Sequence, residues 1–221
     1  MEIANMRDNK AFPDLFALPY QHVVDFSYWA PVDNFMFNPK RHWCFLGEVI
    51  SETFSQRLEV YVKDRSGALA PIAFDTSELG LGFVRRGEMK IGHTIAILYP
   101  EKFIFDDSTV GIRQVCLETI KMFPVSIDAM LQLNDRLQEF CIVKDDALHT
   151  CHNCQRKAIQ MLRCGKCTLF YYCNKECQVA AWTDKGHKED CKLLRDPELR
   201  DLLLLDYESF GDYHQFSTTF D

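Results

Sequence analysis

The sequence lacks long apolar runs, a secretory signal and the short motifs of several common enzymes. No stretch approaches the roughly 18 consecutive apolar residues that a membrane-spanning helix needs. Residues 1–10 are polar, carry both signs of charge and contain no apolar signal segment. These features predict an intracellular protein, in the nucleus or the cytoplasm.

Basic residues are also too few for a protein that coats nucleic acid or anionic lipid with its whole surface. The 221 residues include 25 Lys and Arg against 32 Asp and Glu, a net charge of −7 at pH 7. The charge is uneven, because residues 148–195 carry nine basic and four acidic side chains while both flanks are net acidic. This shift in composition indicates a separate domain near the C-terminal end of the sequence.

Catalytic signatures are missing as well. The sequence contains no His-Glu-x2-His, no Gly-x-Ser-x-Gly and no P-loop. Gly80-Leu-Gly82 is followed by Arg85, where a dinucleotide-binding loop needs a third glycine. We therefore expect a protein that is not an enzyme.

Cysteines are concentrated in one segment, because seven of the ten lie between residues 151 and 191. Disulfides are rare inside cells, so clustered cysteines there indicate a bound metal. A Cys-x2-Cys pair can reach one ion from a single tight turn, and residues four apart share one helix face. The spacing is Cys151-x2-Cys154-x9-Cys164-x2-Cys167-x5-Cys173-x3-Cys177-x9-His187-x3-Cys191.

Eight such ligands in four pairs predict two structural zinc ions. One site would hold four cysteines and the other three cysteines and the histidine; the spacing leaves open which of three pair combinations forms. When protein side chains fill all four coordination positions of a zinc ion, no position remains for a reactive water. The sites are therefore not expected to catalyse hydrolysis. About forty residues bury too little apolar surface to fold alone, whereas a structural zinc contributes roughly 10 to 16 kcal/mol. We expect zinc to fold this segment.

The second half of the segment follows a known pattern. It reads Cys164-Gly-Lys-Cys167-Thr-Leu-Phe-Tyr-Tyr-Cys173-Asn-Lys-Glu-Cys177, with Trp182, His187 and Cys191 beyond. Together with Cys151 and Cys154, this resembles the MYND-type zinc finger and covers residues 151–191. The resemblance implies a cross-brace, in which Cys151, Cys154, Cys173 and Cys177 bind one zinc and Cys164, Cys167, His187 and Cys191 bind the other.

The same resemblance implies a function. MYND fingers are peptide-binding modules that often take extended, proline-containing motifs, and the matching positions here are Phe170, Gln178 and Trp182. An aromatic ring can contact proline while an amide orients the peptide backbone. The alternative role of Trp182 is to cap a minimal core. Some MYND fingers accompany a methyltransferase domain, but the rest of this chain is short for one.

The region before the finger predicts a barrel. Leu58, Val60 and Val62 alternate with polar residues, as in a half-buried strand, and residues 76–89 indicate a short helix or loop. The stretch from Lys90 to Tyr99 is similar to a strand entry of an OB-type barrel. Predicted strands cover residues 43–52, 57–64, 68–74, 94–99, 103–105 and 110–120. The predicted fold is therefore α+β, a small OB-like β-barrel followed by a two-zinc finger with short helices.

This barrel suggests an alternative function. OB barrels often bind single-stranded nucleic acid through aromatic and basic side chains. Against this, the region is net acidic and aromatic residues in strands more often form a core. The basic excess of the finger is likewise better explained as shielding of its thiolates. The candidate nucleic-acid contacts are Tyr61, Lys63, Arg85, Arg86 and Lys102.

The remaining segments complete the predicted organisation. Residues 11–43 are rich in aromatics and prolines, which indicates an irregular arm packed over the barrel, or a strip that binds a partner. Residues 126–140 predict a helix, and Pro197 begins another, acidic and amphipathic. The predicted segments are an arm (1–42), an OB-like domain (43–123), a linker helix (124–148), a MYND-type finger (149–195) and an acidic C-terminal helix or tail (196–221).

Overall fold

The computed structural model describes residues 3–33, 35–54, 56–76, 78–142 and 148–217. The chain divides into two compact units. One contains Met6–Met130 and Asp206–Asp221, and the other contains Met1–Asn5 and Leu131–Leu205. The predicted C-terminal segment 196–221 is thus shared between them. The predicted helix is present as α2 (Ile127–Phe140), whereas residues 143–147 of the predicted linker lie outside the described residues.

A seven-stranded sheet forms the first unit, the barrel unit. Its strands are β3 (Cys44–Phe54), β4 (Leu58–Asp64), β5 (Leu69–Phe74), β6 (Thr94–Leu98), β7 (Lys102–Ile104), β8 (Val110–Gln114) and β9 (Ile120–Phe123). A short helix, α1 (Leu81–Arg85), follows β5. The strand order in the sheet is β7-β8-β5-β4-β3-β6-β9, with every pair antiparallel except β5 and β8.

This sheet closes on itself through β6 and β7. Only residues 99–101 separate these two strands, yet β6 pairs with β3 and β7 pairs with β8 at the opposite end of the order. Together they act as one interrupted strand that completes a five-stranded barrel, with a helix after the third strand. This is the connectivity of a Greek-key OB-type barrel, so the predicted fold class is confirmed.

Alternation along the strands builds the barrel core. Leu58, Val60 and Val62 of β4 point inward and are buried, whereas Glu59 and Tyr61 face outward. The core also contains Trp43, whose indole Nε1 donates to the Pro100 carbonyl at 3.0 Å. A period of two in the sequence was therefore sufficient to predict which residues of β4 face the core.

The predicted strand over residues 110–120 is wrong. Strand β8 ends at Gln114 and β9 starts at Ile120, with a turn between them. The Gln114 side-chain amide holds this turn, since it donates to the Cys116 carbonyl at 2.8 Å and to Thr119 Oγ1 at 2.7 Å. Cys116 therefore lies in the turn, not in a strand as predicted.

The N-terminal arm is irregular, as its prolines predict. It contains a short 3-10 helix (Leu15–Ala17) and a hairpin of β1 (Trp29–Pro31) and β2 (Phe37–Pro39). Leu15, Leu18 and Tyr28 of the arm are buried in the barrel core. Phe16, Phe26 and Phe35 remain exposed.

The C-terminal tail of the barrel unit also packs on it. Tyr207 is buried with its ring centroid 4.7 Å from that of Phe12. The backbone N–H of His214 donates to the Tyr99 hydroxyl at 2.8 Å, and that of Phe216 donates to the Glu118 carbonyl at 2.8 Å. These contacts hold the tail against Phe12, Tyr99 and Glu118, which are far from it in the sequence.

The second unit, the finger unit, is built from short elements. Its two hairpins pair β10 (His149–Thr150) with β11 (Lys157–Ala158), and β12 (Leu162–Arg163) with β13 (Tyr171–Tyr172). Its helices are the greater part of α2, then α3 (Lys175–Asp184), α4 (His187–Leu193) and α5 (Pro197–Leu204). No helix in the described part of either unit has the length and apolar character that crossing a bilayer demands.

Candidate metal centre

The eight predicted ligands of the finger come together in two groups of four. Cys151, Cys154, Cys173 and Cys177 form the first, which we call site 1, and Cys164, Cys167, His187 and Cys191 form the second, site 2. Within each group all ligand atoms lie within 4.8 Å of one another. The first pair along the chain joins the third, and the second joins the fourth. This confirms the cross-brace that the resemblance implied.

Distances between ligand atoms fit tetrahedral zinc. With Zn–S bonds of 2.3 Å, sulfurs around a tetrahedral zinc are about 3.8 Å apart. In site 1, Cys154 Sγ lies 3.5 Å from Cys173 Sγ and 3.9 Å from Cys177 Sγ. In site 2, Cys164 Sγ lies 3.9 Å from Cys191 Sγ and 3.4 Å from His187 Nε2. The two donor sets therefore suit two structural zinc ions.

Two tight turns present the Cys-x2-Cys pairs. The N–H of Gln155 donates to the Cys151 carbonyl at 2.9 Å, and that of Thr168 to the Cys164 carbonyl at 3.0 Å. Gln155 and Thr168 have φ of 62° and 58°. In the second turn the left-handed residue is Thr168, just after the pair, and not Gly165 between the two cysteines.

Helix α4 presents the whole of the last pair, whereas only the second cysteine of the third pair lies in a helix, because Cys173 precedes α3. Cys177 lies in the first turn of α3, where its N–H donates to the Asn174 side chain at 2.9 Å. His187 and Cys191 both belong to α4 and lie one turn apart, on the same face. The four-residue spacing of this last pair thus forms the helical arrangement that the sequence predicts.

The two sites differ in their exposure. All four ligands of site 2 are buried, whereas in site 1 only Cys151 is buried and Cys154 is exposed. Aromatic rings surround His187, with the centroids of Phe170 at 4.9 Å, Tyr172 at 5.6 Å and Trp182 at 5.8 Å. Site 2 is therefore enclosed by the small core of the finger.

The buried surroundings of site 2 shift the pKa values of two neighbouring side chains, His152 and Tyr172. Burial, with contributions from His187, Arg136 and Lys185, lowers the pKa of His152 to about 4. Burial also raises the pKa of the Tyr172 phenol, and the neighbouring thiolates of site 2 raise it further. Both rings are neutral at pH 7 and act as packing surfaces.

Phe170 does not fit its predicted role in peptide binding. Its side chain is 0% exposed, and its ring stacks on His152 with centroids 4.2 Å apart. The ring also packs against His187, with centroids 4.9 Å apart, so it covers site 2 from solvent. We assign Phe170 to the core. The other two predicted contacts, Gln178 and Trp182, are each partly exposed on α3.

Arginines from two helices support site 2, and no motif in the sequence indicates either of them. Arg136 of α2 binds Asp190 with two hydrogen bonds, of 2.8 Å and 2.6 Å, and Asp190 precedes Cys191. Arg200 of α5 donates to the carbonyl of Cys167 at 3.0 Å. These contacts span 54 and 33 residues along the chain, so no spacing rule predicts them.

One predicted nucleic-acid contact of the barrel is also excluded by its burial. Lys102 is only 7% exposed, and its ammonium donates to the Phe16 carbonyl at 2.6 Å. It also lies 4.2 Å from the ring centroid of Tyr20. Lys102 therefore holds the arm. Tyr61, by contrast, is 46% exposed on the outer face of β4.

Comparison with known proteins agrees with the site geometry. The family model described as "MYND finger" matches residues 151–191. Residues 151–191 are a MYND finger. The chain is 36% identical over 45 residues to human histone-lysine N-methyltransferase SMYD1, covering 20% of this chain and 9% of that protein. It is 39% identical over 46 residues to SET domain and MYND-type zinc finger protein 6 of Schizosaccharomyces pombe, covering 21% and 9%.

The chain thus spans less than a tenth of the length of these curated relatives. Solved structures similar to the chain include Schizosaccharomyces pombe Pot1pC bound to ssDNA, with 11% identity over 49% of this chain and 97% of that one. A replication protein A heterotrimer bound to ssDNA matches at 10% identity over 55% and 82%. Both have a TM-score of 0.31, which supports no argument about this chain. Its OB-type topology rests on the strand order.

Three cysteines lie outside the zinc sites, and we expect them to be dispensable for metal binding. Cys44 and Cys141 are buried, and burial raises the pKa of both thiols. Cys116 donates to the Glu118 carboxylate at 3.0 Å. Replacing all three with alanine should leave two zinc ions per chain by metal analysis. Loss of an ion would mean that the ligand assignment is wrong.

Proposed function

We propose that the protein is a non-enzymatic, intracellular adaptor that recruits a partner protein through its MYND finger. The ligand we propose is an extended, proline-containing segment of the partner. The observation that carries this proposal is the placement of Gln178 and Trp182. They lie four residues apart on α3, hence on one helix face, and both are partly exposed.

Trp182 is well placed to contact a proline ring. Its own ring packs edge-on against His187 of site 2, with centroids 5.8 Å apart, so the zinc cluster fixes its orientation. The Lys166 ammonium lies 5.4 Å from the Trp182 ring centroid. A fixed, partly exposed indole binds without the entropy loss of ordering a mobile side chain.

The backbone of the peptide can pair with a strand edge. Among the described strands, β12 pairs with β13 alone, so its second edge is open. Extended peptides commonly add to such edges through main-chain hydrogen bonds. A two-residue strand offers few of these bonds. Together with one aromatic contact they support micromolar affinity, which corresponds to about −8 kcal/mol.

A peptide titration tests this proposal. Isotope-labelled, zinc-loaded protein is titrated with a library of proline-containing peptides, and backbone amide shifts are recorded. We expect shifts centred on residues 160–182, because these residues include β12 and the exposed face of α3. Shifts confined to the barrel unit, or none with any peptide, would count against the adaptor mechanism.

Substitutions on α3 sharpen the test. Gln178→Ala should weaken peptide binding by roughly tenfold, the effect of losing one orienting hydrogen bond. Trp182→Ala should abolish it, and metal analysis of each variant must still find two zinc ions. Glu176→Gln is the matched control, because Glu176 lies on the opposite side of α3 and should bind as wild type.

Nucleic-acid binding by the barrel is the alternative function. One observation favours it, a groove of about 270 Å³ on the outer face of β4 and β5, where OB barrels hold their ligands. Tyr61 and Phe105 line this groove, but so do the carboxylates of Glu59, Asp106 and Asp107. That charge opposes a phosphate backbone. Binding of a labelled dT15 oligonucleotide that weakens steeply with salt would favour this alternative.

A further inference from the structure

The two zinc sites are unequal in a way that bears on their chemistry. Site 2 is buried at all four ligands, while Cys154 of site 1 is exposed and Cys173 and Cys177 are half-buried. A site with four thiolates also retains a net charge of −2 after binding zinc, compared with −1 for three thiolates and a neutral histidine. The accessible sulfurs are therefore also the more electron-rich ones.

We propose that site 1 is a peroxide-sensitive zinc site, in which oxidation of Cys154 and Cys173 to a disulfide releases one zinc ion while site 2 keeps its own. Susceptibility of cysteine to peroxide follows thiolate character and exposure. All four sulfurs of zinc-bound site 1 are thiolates, and Cys154 is the exposed one among them. The inference does not depend on what the finger binds.

The geometry provides the second cysteine of the reaction. Cys173 Sγ lies 3.5 Å from Cys154 Sγ, closer than the 3.9 Å to Cys177 Sγ. Cys154 and Cys173 lie 19 residues apart in sequence, in loops that follow β10 and β13. A loop-to-loop pair can shorten its separation without unwinding a helix, whereas Cys177 is fixed inside α3.

The reaction balances with hydrogen peroxide as the oxidant. The Cys154 thiolate attacks one peroxide oxygen, so an S–O bond forms, the O–O bond breaks and hydroxide leaves to become water. The Cys173 thiolate then attacks the Cys154 sulfur, which forms the S–S bond and expels a second hydroxide. Two thiolates lose two electrons in total, and one peroxide with two protons from solvent yields two waters. Loss of two of its four ligands releases the ion.

Burial explains why site 2 should outlast site 1. Its ligands are Cys164, Cys167, His187 and Cys191, which are 3%, 0%, 0% and 1% exposed. The rings of Phe170 and Tyr172 pack around His187, and Arg136 holds Asp190 next to Cys191. Peroxide reaches these sulfurs only after the finger core opens.

Cys116 is the competing thiol outside the sites, because it is only half-buried. Burial and the hydrogen bond to the Glu118 carboxylate both raise the pKa of this thiol. It is therefore protonated at pH 7 and reacts slowly. A Cys116→Ser variant serves as the matched control, since it removes a cysteine without touching either zinc site.

The test treats the full chain, loaded with two zinc ions, with hydrogen peroxide. Free zinc is followed with a colorimetric chelator, and disulfides are mapped by alkylation and peptide mass spectrometry. We expect one ion per chain to be released at least about tenfold faster than the second, with a Cys154–Cys173 disulfide. Thiol reductant plus zinc should restore the starting state, and Cys116→Ser should behave as wild type.

Several results would overturn this inference. Release of both ions in a single phase would do so, as would first oxidation at Cys164, Cys167 or Cys191. A Cys154→His variant keeps a zinc ligand but removes the exposed thiolate, so it should resist peroxide. Release as fast as in wild type would contradict the role of Cys154. If this variant binds less zinc, the order in which the cysteines of the wild-type chain are oxidised still shows which site reacts first.

Discussion

Replacing Cys164 with serine is expected to unfold the finger unit while the barrel unit keeps its strands. Cys164 Sγ contacts both His187 Nε2 and Cys191 Sγ, so its loss removes a central ligand of buried site 2. A structural zinc contributes roughly 10 to 16 kcal/mol, more than a small domain has to spare. We expect zinc content to fall below two ions, and amide resonances of residues 148–205 to collapse to random-coil positions.

Cys44→Ala is the matched control for this substitution. Cys44 is also a fully buried cysteine, but it belongs to β3 of the barrel unit and binds no metal. This variant should keep two zinc ions and a folded finger. If Cys164→Ser lost the resonances of both units together, the two units would form one cooperative structure. If it kept a folded finger with two ions, site 2 would be misassigned.

The second large effect is expected when the ion pair between Arg136 and Asp190 is broken. Asp190 is only 3% exposed, and its carboxylate accepts two hydrogen bonds from the Arg136 guanidinium. Arg136→Met would leave a buried carboxylate without its cation, which costs about 3 to 5 kcal/mol. We expect this loss in denaturant unfolding of the zinc-loaded protein followed by signals of the finger unit. Zinc at site 2 should also exchange faster, because Asp190 adjoins Cys191.

A double substitution separates two contributions to the loss of stability, that of the unpaired buried charge and that of the lost packing. Arg136→Met combined with Asp190→Asn removes both charges, so the double variant should recover much of the stability that Arg136→Met loses. Arg136→Lys should recover less, since an ammonium cannot make the paired contacts of a guanidinium. Equal destabilisation by Arg136→Met with or without Asp190→Asn would show that the ion pair contributes little.

The zinc ligands could be predicted from the sequence because metal chemistry leaves a local pattern. Two sulfurs that share one ion must lie a few residues apart, and the pairs from Cys151 to Cys191 all obey this rule. Which pairs share an ion is a matter of tertiary structure, so spacing left it open and only the resemblance to MYND fingers indicated the cross-brace. The position of β4 followed from the alternation of apolar and polar residues.

Features set by distant contacts could not be predicted. The turn after β8 depends on the Gln114 amide, and an apolar pattern through Val110 and Ile112 hides it. Arg136 and Asp190 look like solvated surface residues until α2 and α4 are brought together. Phe170 looked available to a peptide because sequence gives no sign of which aromatic residues cover site 2. In each case the role of the residue depends on contacts that form only when distant parts of the chain fold together.

Native mass spectrometry of the intact, zinc-loaded chain tests the assignment of the two zinc sites. In this assignment, Cys151, Cys154, Cys173 and Cys177 bind one zinc ion while Cys164, Cys167, His187 and Cys191 bind a second. We expect a folded species that carries two zinc ions, together with a Cys164→Ser variant that carries fewer. A folded wild-type chain with one zinc ion or none would contradict this assignment.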